Sequence, residues 1–192
     1  SWIDRIKKGK PIIICDNGDA RCQFMHVKDA ANIFVSLLGK KECFGEIYNV
    51  VEKKFYTWKE YHYEAMKVIG RNVELIEVSF KDLLNFKIPR FRICQDITSN
   101  DLYYSSQKLL KVLPEFKSKI SLRDGMFEVF KSMVDDGRIN NAFTQNWEDR
   151  IIKKKNNGTL KKGLLINAFL FNCDRLIMFI RKKIYNILNF FF

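Results

Sequence analysis

The 192 residues contain no Gly-x-Gly-x-x-Gly and no Gly-x-x-Gly-x-x-Gly. A dinucleotide pyrophosphate needs such a turn between a strand and a helix, so that backbone can approach it. This chain is therefore not expected to hold one unaided. Cysteine is sparse. Cys15, Cys22, Cys43, Cys94 and Cys173 make an odd number, with no C-x-x-C pair and no histidine at ligand spacing. A disulfide framework and a structural zinc are both unexpected, and a reducing, cytoplasmic compartment fits. No internal repeat is visible. The chain opens on Ser1 and enters a helical pattern at Trp2, without the apolar leader of a signal peptide. Acid is nearly absent beyond residue 150, where Asp174 alone faces Lys153, Lys154, Lys155, Lys161, Lys162, Arg175, Arg181, Lys182 and Lys183. Most of the net charge of +12 thus belongs to the end of the chain, which weakens a whole-protein nucleic-acid reading.

The composition, 47% hydrophobic and 29% charged, is that of a soluble protein able to bury one core. Its organising stretch is Gly9 to Val51. Pro11 to Cys15 is an apolar run closed by Asp16-Asn17-Gly18-Asp19, which predicts a strand and a turn. Gln23 to Val27 is a second extended piece. Val27, Ala30, Ala31, Phe34, Val35 and Leu38 then recur at helical spacing and predict one apolar helix face. Gly45 to Val51 reads as another strand. Strand, turn, strand, helix, strand is an α/β pattern.

Before this stretch, Trp2, Ile3 and Ile6 form an apolar edge, and Arg5, Lys7, Lys8 and Lys10 a solvated one. After it, Thr57-Trp58-Lys59-Glu60 predicts a capping box at the start of a helix that Gly70 ends. Val73 to Val78 alternates as a half-buried strand, and Ser79 suits the cap of a short helix through Leu84. Ser121 to Asp124 opens a last helix whose Met126, Phe127, Val129, Phe130 and Val134 predict a buried side. Lys153 to Gly163 reads as a charged linker. Residues 164–192 are strongly apolar with interspersed bases. Asn167, Asn172, Asp174, Arg175 and the Arg181-Lys182-Lys183 cluster interrupt every window of the roughly 20 apolar residues that a spanning helix needs. Such a tail suits an anionic membrane surface, packing back on the body, or a homodimer contact.

The pieces G-x-P-I, F-x-H-V-x-D-x-A and G-E-x-Y-N-V stand here as Gly9, Pro11, Ile12; Phe24, His26, Val27, Asp29, Ala30; and Gly45, Glu46, Tyr48, Asn49, Val50. In this order they resemble the second half of an NAD-dependent epimerase/dehydratase, one of the extended short-chain dehydrogenase/reductases. The resemblance continues through about residue 137. It implies an α/β fold: the last elements of a Rossmann sheet plus a small substrate domain over residues 1–150, then a linker at 151–163 and an amphipathic helical tail at 164–192. It implies that the chain is the C-terminal part of something longer, whose N-terminal half carries the glycine turn. For the complete protein it implies hydride transfer through NAD or NADP on a sugar or nucleotide-sugar-like small molecule.

The family's catalytic Tyr-x-x-x-Lys precedes the H-V-x-D segment. The two matches here, Tyr63/Lys67 and Tyr104/Lys108, follow it and read as chance. The chain alone is not expected to catalyse. Its candidate substrate-binding residues are Arg21, Gln23 and His26. Family members acting on nucleotide sugars often place an arginine near this point, where its fork can bind a diphosphate; here Cys22 holds the nearest aligned position and Arg21 comes one residue earlier. Arg21 and Gln23 also read as solvent-facing loop residues, and His26 as a helix-entry residue whose ring bonds to backbone. Asp29 suits the positive end of a helix. In the D-x-x-x-D-x-S-K box, Asp101 and Lys108 match, while Tyr104 or Ser105 stands where an acid is usual. Lys87, Arg90, Phe91 and Arg92 form a basic-aromatic cluster or an ordinary charged loop. Two other readings remain open: a non-catalytic protein on the same scaffold that binds RNA or regulates, and a membrane-surface protein acting through its tail.

Overall fold

The computed structural model describes residues 1–86, 88, 97–144 and 146–158. The cluster of Lys87, Arg90, Phe91 and Arg92, and the tail at 164–192, lie outside them. In chain order the elements are α1 (Trp2–Lys7), β1 (Ile12–Cys15), β2 (Arg21–Cys22), α2 (Val27–Leu37), β3 (Tyr56–Thr57), α3 (Trp58–Ile69), β4 (Leu75–Val78), α4 (Phe80–Leu83), α5 (Gln107–Val112), α6 (Leu122–Asp135) and α7 (Trp147–Asn156). None of these helices is long and apolar enough to cross a membrane.

β1 and β4 pair in parallel, from Ile12 opposite Leu75 to Cys15 opposite Val78. Side chains alternate along a strand. Ile13, Cys15, Ile76 and Val78 therefore share one face, which Leu83 of α4 and Ile151 and Ile152 of α7 cover. Ile12 and Leu75 share the other face and pack with Ile6 of α1 and Met66 of α3. A parallel pair needs a long crossover, and β2, α2, β3 and α3 supply it. Gly18 closes the turn after β1 at φ +75°, where a Cβ would stand 2.9 Å from Ile14 Cδ1 and only glycine fits.

The capping box forms as read: Glu60 N–H donates to Thr57 Oγ1 at 3.1 Å, and Thr57 N–H to Glu60 Oε2 at 2.7 Å. Gly70 ends α3 in the left-handed conformation. Ala65 and Met66 bury the inner face of this helix, which packs against α6 through Met126 and Phe130.

Five expectations change. Arg5, which the helical pattern assigns to the solvated edge of α1, is 0% exposed. Its Nε donates to the Pro11 carbonyl at 2.7 Å and its Nη2 to Asp149 Oδ1 at 2.7 Å, with Glu148 Oε1 at 3.7 Å. These acids come from α7, far away in sequence. The stretch from Gly45 to Val51 joins no ladder among the described residues; Tyr48 and Val50 instead pack under α2 with Ile33. In α6 only Met126 and Phe130 are buried, whereas Phe127, Val129 and Val134 are exposed. The apolar face read in α2 exists, but it is bare: Val27 is 72% exposed, Phe34 59%, Val35 67% and Leu38 77%. The helix is held from its other side, by Ile33 and half-buried Leu37 against Leu109 and Leu113. α7 also runs through residue 150 and buries Ile151, so the stretch read as linker from residue 151 begins in helix.

Candidate functional site

Arg21 and Gln23 lie two residues apart on one short extended segment and reach the same neighbour, residues 101–104. Arg21 N–H donates to Asp101 Oδ1 at 2.8 Å, while its Nε and Nη2 reach Asp101 Oδ2 at 3.1 and 2.9 Å. Its carbonyl accepts from Leu102 N–H at 2.9 Å. The pairing pushes the Arg21 pKa up and holds the Asp101 carboxyl below its usual value, chiefly through these hydrogen bonds. Gln23 uses both ends of its amide: Nε2 donates to the carbonyls of Glu52 (2.7 Å) and Tyr104 (3.2 Å), and Oε1 accepts from Tyr104 N–H at 2.7 Å. Asn49 Nδ2 donates to the Ser105 carbonyl at 3.1 Å. Three side chains thus secure one surface segment where no ladder does, and satisfy its backbone.

Around this segment the surface is aromatic and basic. The Arg21 guanidinium lies 5.1 Å over the Phe55 ring, and Phe55 meets Tyr103 edge-on at 6.2 Å. Lys108, paired with Glu46, lies over the Tyr48 ring. Such a cluster can stack a flat ring and oppose negative charge, although Asp101 already engages the Arg21 fork.

His26 turns toward a different neighbour. Its Nδ1 accepts from Lys28 N–H at 3.3 Å, which caps α2, and its Nε2 stands 3.6 Å from Glu128 Oε2 on α6. Gly125 permits this approach, since a Cβ there would lie 3.1 Å from His26 Cδ2. Asp29 is buried and accepts from the N–H groups of Lys119 and Ile120, both at 3.0 Å, so it ties α2 to the entry of α6. The structure gathers Arg21 and Gln23 on one segment and sends His26 to another.

In both tyrosine-lysine matches the lysine is engaged by a carboxylate. Lys67 Nζ donates to Glu64 Oε1 at 2.7 Å, and Lys108 is engaged with Glu46. Arg123 joins Glu64 as well, and the two cations hold that carboxyl down at about 2. Cys22 is buried, its thiol pushed up to about 12 by desolvation, and donates to the Tyr56 carbonyl at 3.2 Å. Sequence reasoning missed the partnership of Arg21 with Asp101. The matching acid in the degraded box was its one available signal. Phe55 and Tyr103 left none.

The turn after β1, which leads into β2, does not suit a pyrophosphate. It carries Asp16 and Asp19 in place of a glycine cradle, with Asp101 beside it, and these carboxylates would repel the phosphates. Among the described residues no group of side chains is arranged to hold a metal ion.

The model of the NAD dependent epimerase/dehydratase family matches residues 1–50. The epimerase from Methanothermobacter thermautotrophicus superposes with a TM-score of 0.55 at 14% identity, over 71% of this chain and 37% of its own. UDP-glucuronic acid 4-epimerase from Bacillus cereus, solved with NAD, gives 0.50 at 18% identity, over 68% and 38%. The fold is that of the NAD-dependent epimerases and dehydratases. The resemblance read in the sequence is borne out. RMD from Pseudomonas aeruginosa, solved with NADPH, gives 0.51 at 16% identity, over 72% of this chain and 41% of its own. A curated relative, the chloroplast stem-loop binding protein of 41 kDa b from Arabidopsis thaliana, is 24% identical over 80% of this chain and 40% of its own length. The chain therefore spans about two fifths of the proteins it matches.

Proposed function

We propose that this chain is the substrate-side portion of an NAD(P)-dependent oxidoreductase of the epimerase/dehydratase type, acting on a sugar or nucleotide-sugar-like substrate. The observation that carries the reading is the bare apolar face of α2 in a fold that spans two fifths of its relatives. A helix that leaves Val27, Phe34, Val35 and Leu38 in water is built to be covered. The occupant is a nucleotide-binding α/β half, which would bring the glycine turn and the catalytic residues that this chain lacks. Residues 1–150 then form the substrate side. Arg21 and Gln23 shape the segment facing the substrate, the Arg21 guanidinium opposes its diphosphate, and His26 holds the entrance of α2. The chain does not catalyse alone.

Calorimetry tests this. Titrated with UDP-glucuronic acid, the chain is expected to give weak, saturable binding that Arg21→Ala abolishes. NAD⁺ and NADP⁺ are expected to give no heat. Micromolar cofactor binding by this chain would overturn the division of labour, and nucleotide-sugar binding indifferent to Arg21 would remove it from the site.

A second reading is favoured by the stem-loop binding relative. In it the scaffold binds RNA, with Phe55, Tyr103 and Arg21 stacking exposed bases. A gel shift with a stem-loop RNA separates the two: a shift lost on Phe55→Ala supports RNA, and none rejects it. The setting proposed for either is cytoplasmic, with the tail at 164–192 resting on anionic lipid. Flotation with anionic vesicles, lost on deleting residues 160–192, tests that placement.

A further inference from the structure

A groove between α1, α3 and α6 plays no part in the site above. It has a volume of about 540 Å³. Ile3 and Phe130 are its buried lining, Ile69 is half-buried, and Phe127 and Val134 stand exposed along it. Residues 127, 130 and 134 recur at helical spacing, so one face of α6 forms a continuous apolar wall. This volume falls within the range of sites that enclose small ligands.

The charge around the groove is uneven. Arg71 Nη1 donates to the Lys7 carbonyl at 2.6 Å, which brings the ends of α1 and α3 together. Neither the Lys7 ammonium nor the Arg71 guanidinium has a carboxylate partner among the described residues. Lys131, the third cation of the lining, is neutralised by Asp135 at 2.6 Å. An apolar trough thus carries two uncompensated positive charges. Both cations suit the negative ends of their helices, but that role leaves their charge exposed to a ligand. The basic tail of this chain would be repelled by them. A ligand with an apolar body and one anionic head would match both features.

We propose that this groove binds a single-chain anionic amphiphile, a long-chain carboxylate. Its head sits at Lys7 and Arg71, and its chain lies along Ile69, Phe130 and Val134. The arginine fork suits a carboxylate, and the apolar wall removes the chain from water.

The test is calorimetry of the full chain with dodecanoate below its micelle concentration, set against dodecyltrimethylammonium, which has the same chain and the opposite charge. One dodecanoate per chain is expected, with the cationic amphiphile about ten-fold weaker, the scale of two exposed charge pairs. Lys7→Glu with Arg71→Glu should reverse the order, and Val134→Asp should weaken both. These positions are at the surface, and a circular dichroism melt confirms that each variant folds. Equal affinity for the two head groups would overturn the proposal. So would binding of several molecules that none of these variants changes, because it would locate the amphiphile on the apolar tail.

Discussion

α2 and α3 are helices of similar length and equally clear amphipathic pattern, and they end in opposite situations. α3 is capped at both ends and buries Ala65 and Met66 among Ile6, Ile12 and Met126. Trp2 meets Tyr61 and His62 edge-on against it, at 5.8 and 5.2 Å. α2 is capped by His26, tied down by Asp29 and held by Ile33, yet its widest apolar stripe faces water. The periodicity of a helix states that one face is to be covered. It does not state by what, or whether the cover lies in the same chain.

The largest expected effect lies under α3. Met66→Ala, at 1% exposure, should cost about 2–5 kcal/mol in urea unfolding, since it opens a cavity where three elements meet. A loss below about 1 kcal/mol, the range of surface changes, would remove the contrast with α2.

His62 comes next. Burial alone pulls its pKa from 6.5 down to about 4, and its Nδ1 has no hydrogen-bond partner among the described residues. A neutral ring is therefore favoured in the folded state, while the unfolded chain takes up a proton below its ordinary pKa. Stability is complete above pH 6.5 and falls as the pH drops toward 4, by about 3 kcal/mol over the window. His62→Phe should flatten that part of the pH profile. An unchanged slope would mean that another group sets it.

The cap of α3 is a smaller matter. Thr57→Ala should cost about 1 kcal/mol, because Glu60 N–H loses its acceptor at the helix start. Smallest is the open face of α2. Phe34→Ser with Leu38→Ser should move stability by about 0.5 kcal/mol or less while reducing dye binding and self-association. If the pair costs more than about 2 kcal/mol, the face is already covered in the chain as it stands.

Much of the framework was legible in advance. The strand at Pro11 to Cys15, the alternation at Val73 to Val78, the capping box at Thr57 and the cap at Ser79 all form, because each depends on neighbours within a few residues. The candidate site was legible only in part. Arg21 and Gln23 share one face of an extended segment, as their spacing of two dictates, but what they grip lies some 80 residues on. His26 has the helix-entry contact that sequence reasoning also allowed, with α6 as an added neighbour. The strand read at Gly45 to Val51 failed because a ladder needs a partner strand, and apolar alternation only makes a segment eligible for one.

By itself the sequence determined most of the helix and strand starts, which side of α2 and α3 is apolar, and which family order the elements follow; capping, turn chemistry and periodicity are local. The tertiary structure alone decided that Arg5 is buried against acids of α7, that Asp101 takes the Arg21 fork, and that the stripes of α2 and α6 are left partly uncovered. Those outcomes depend on groups brought together from distant parts of the chain, and a charge or an apolar side chain carries no mark of which distant group will meet it.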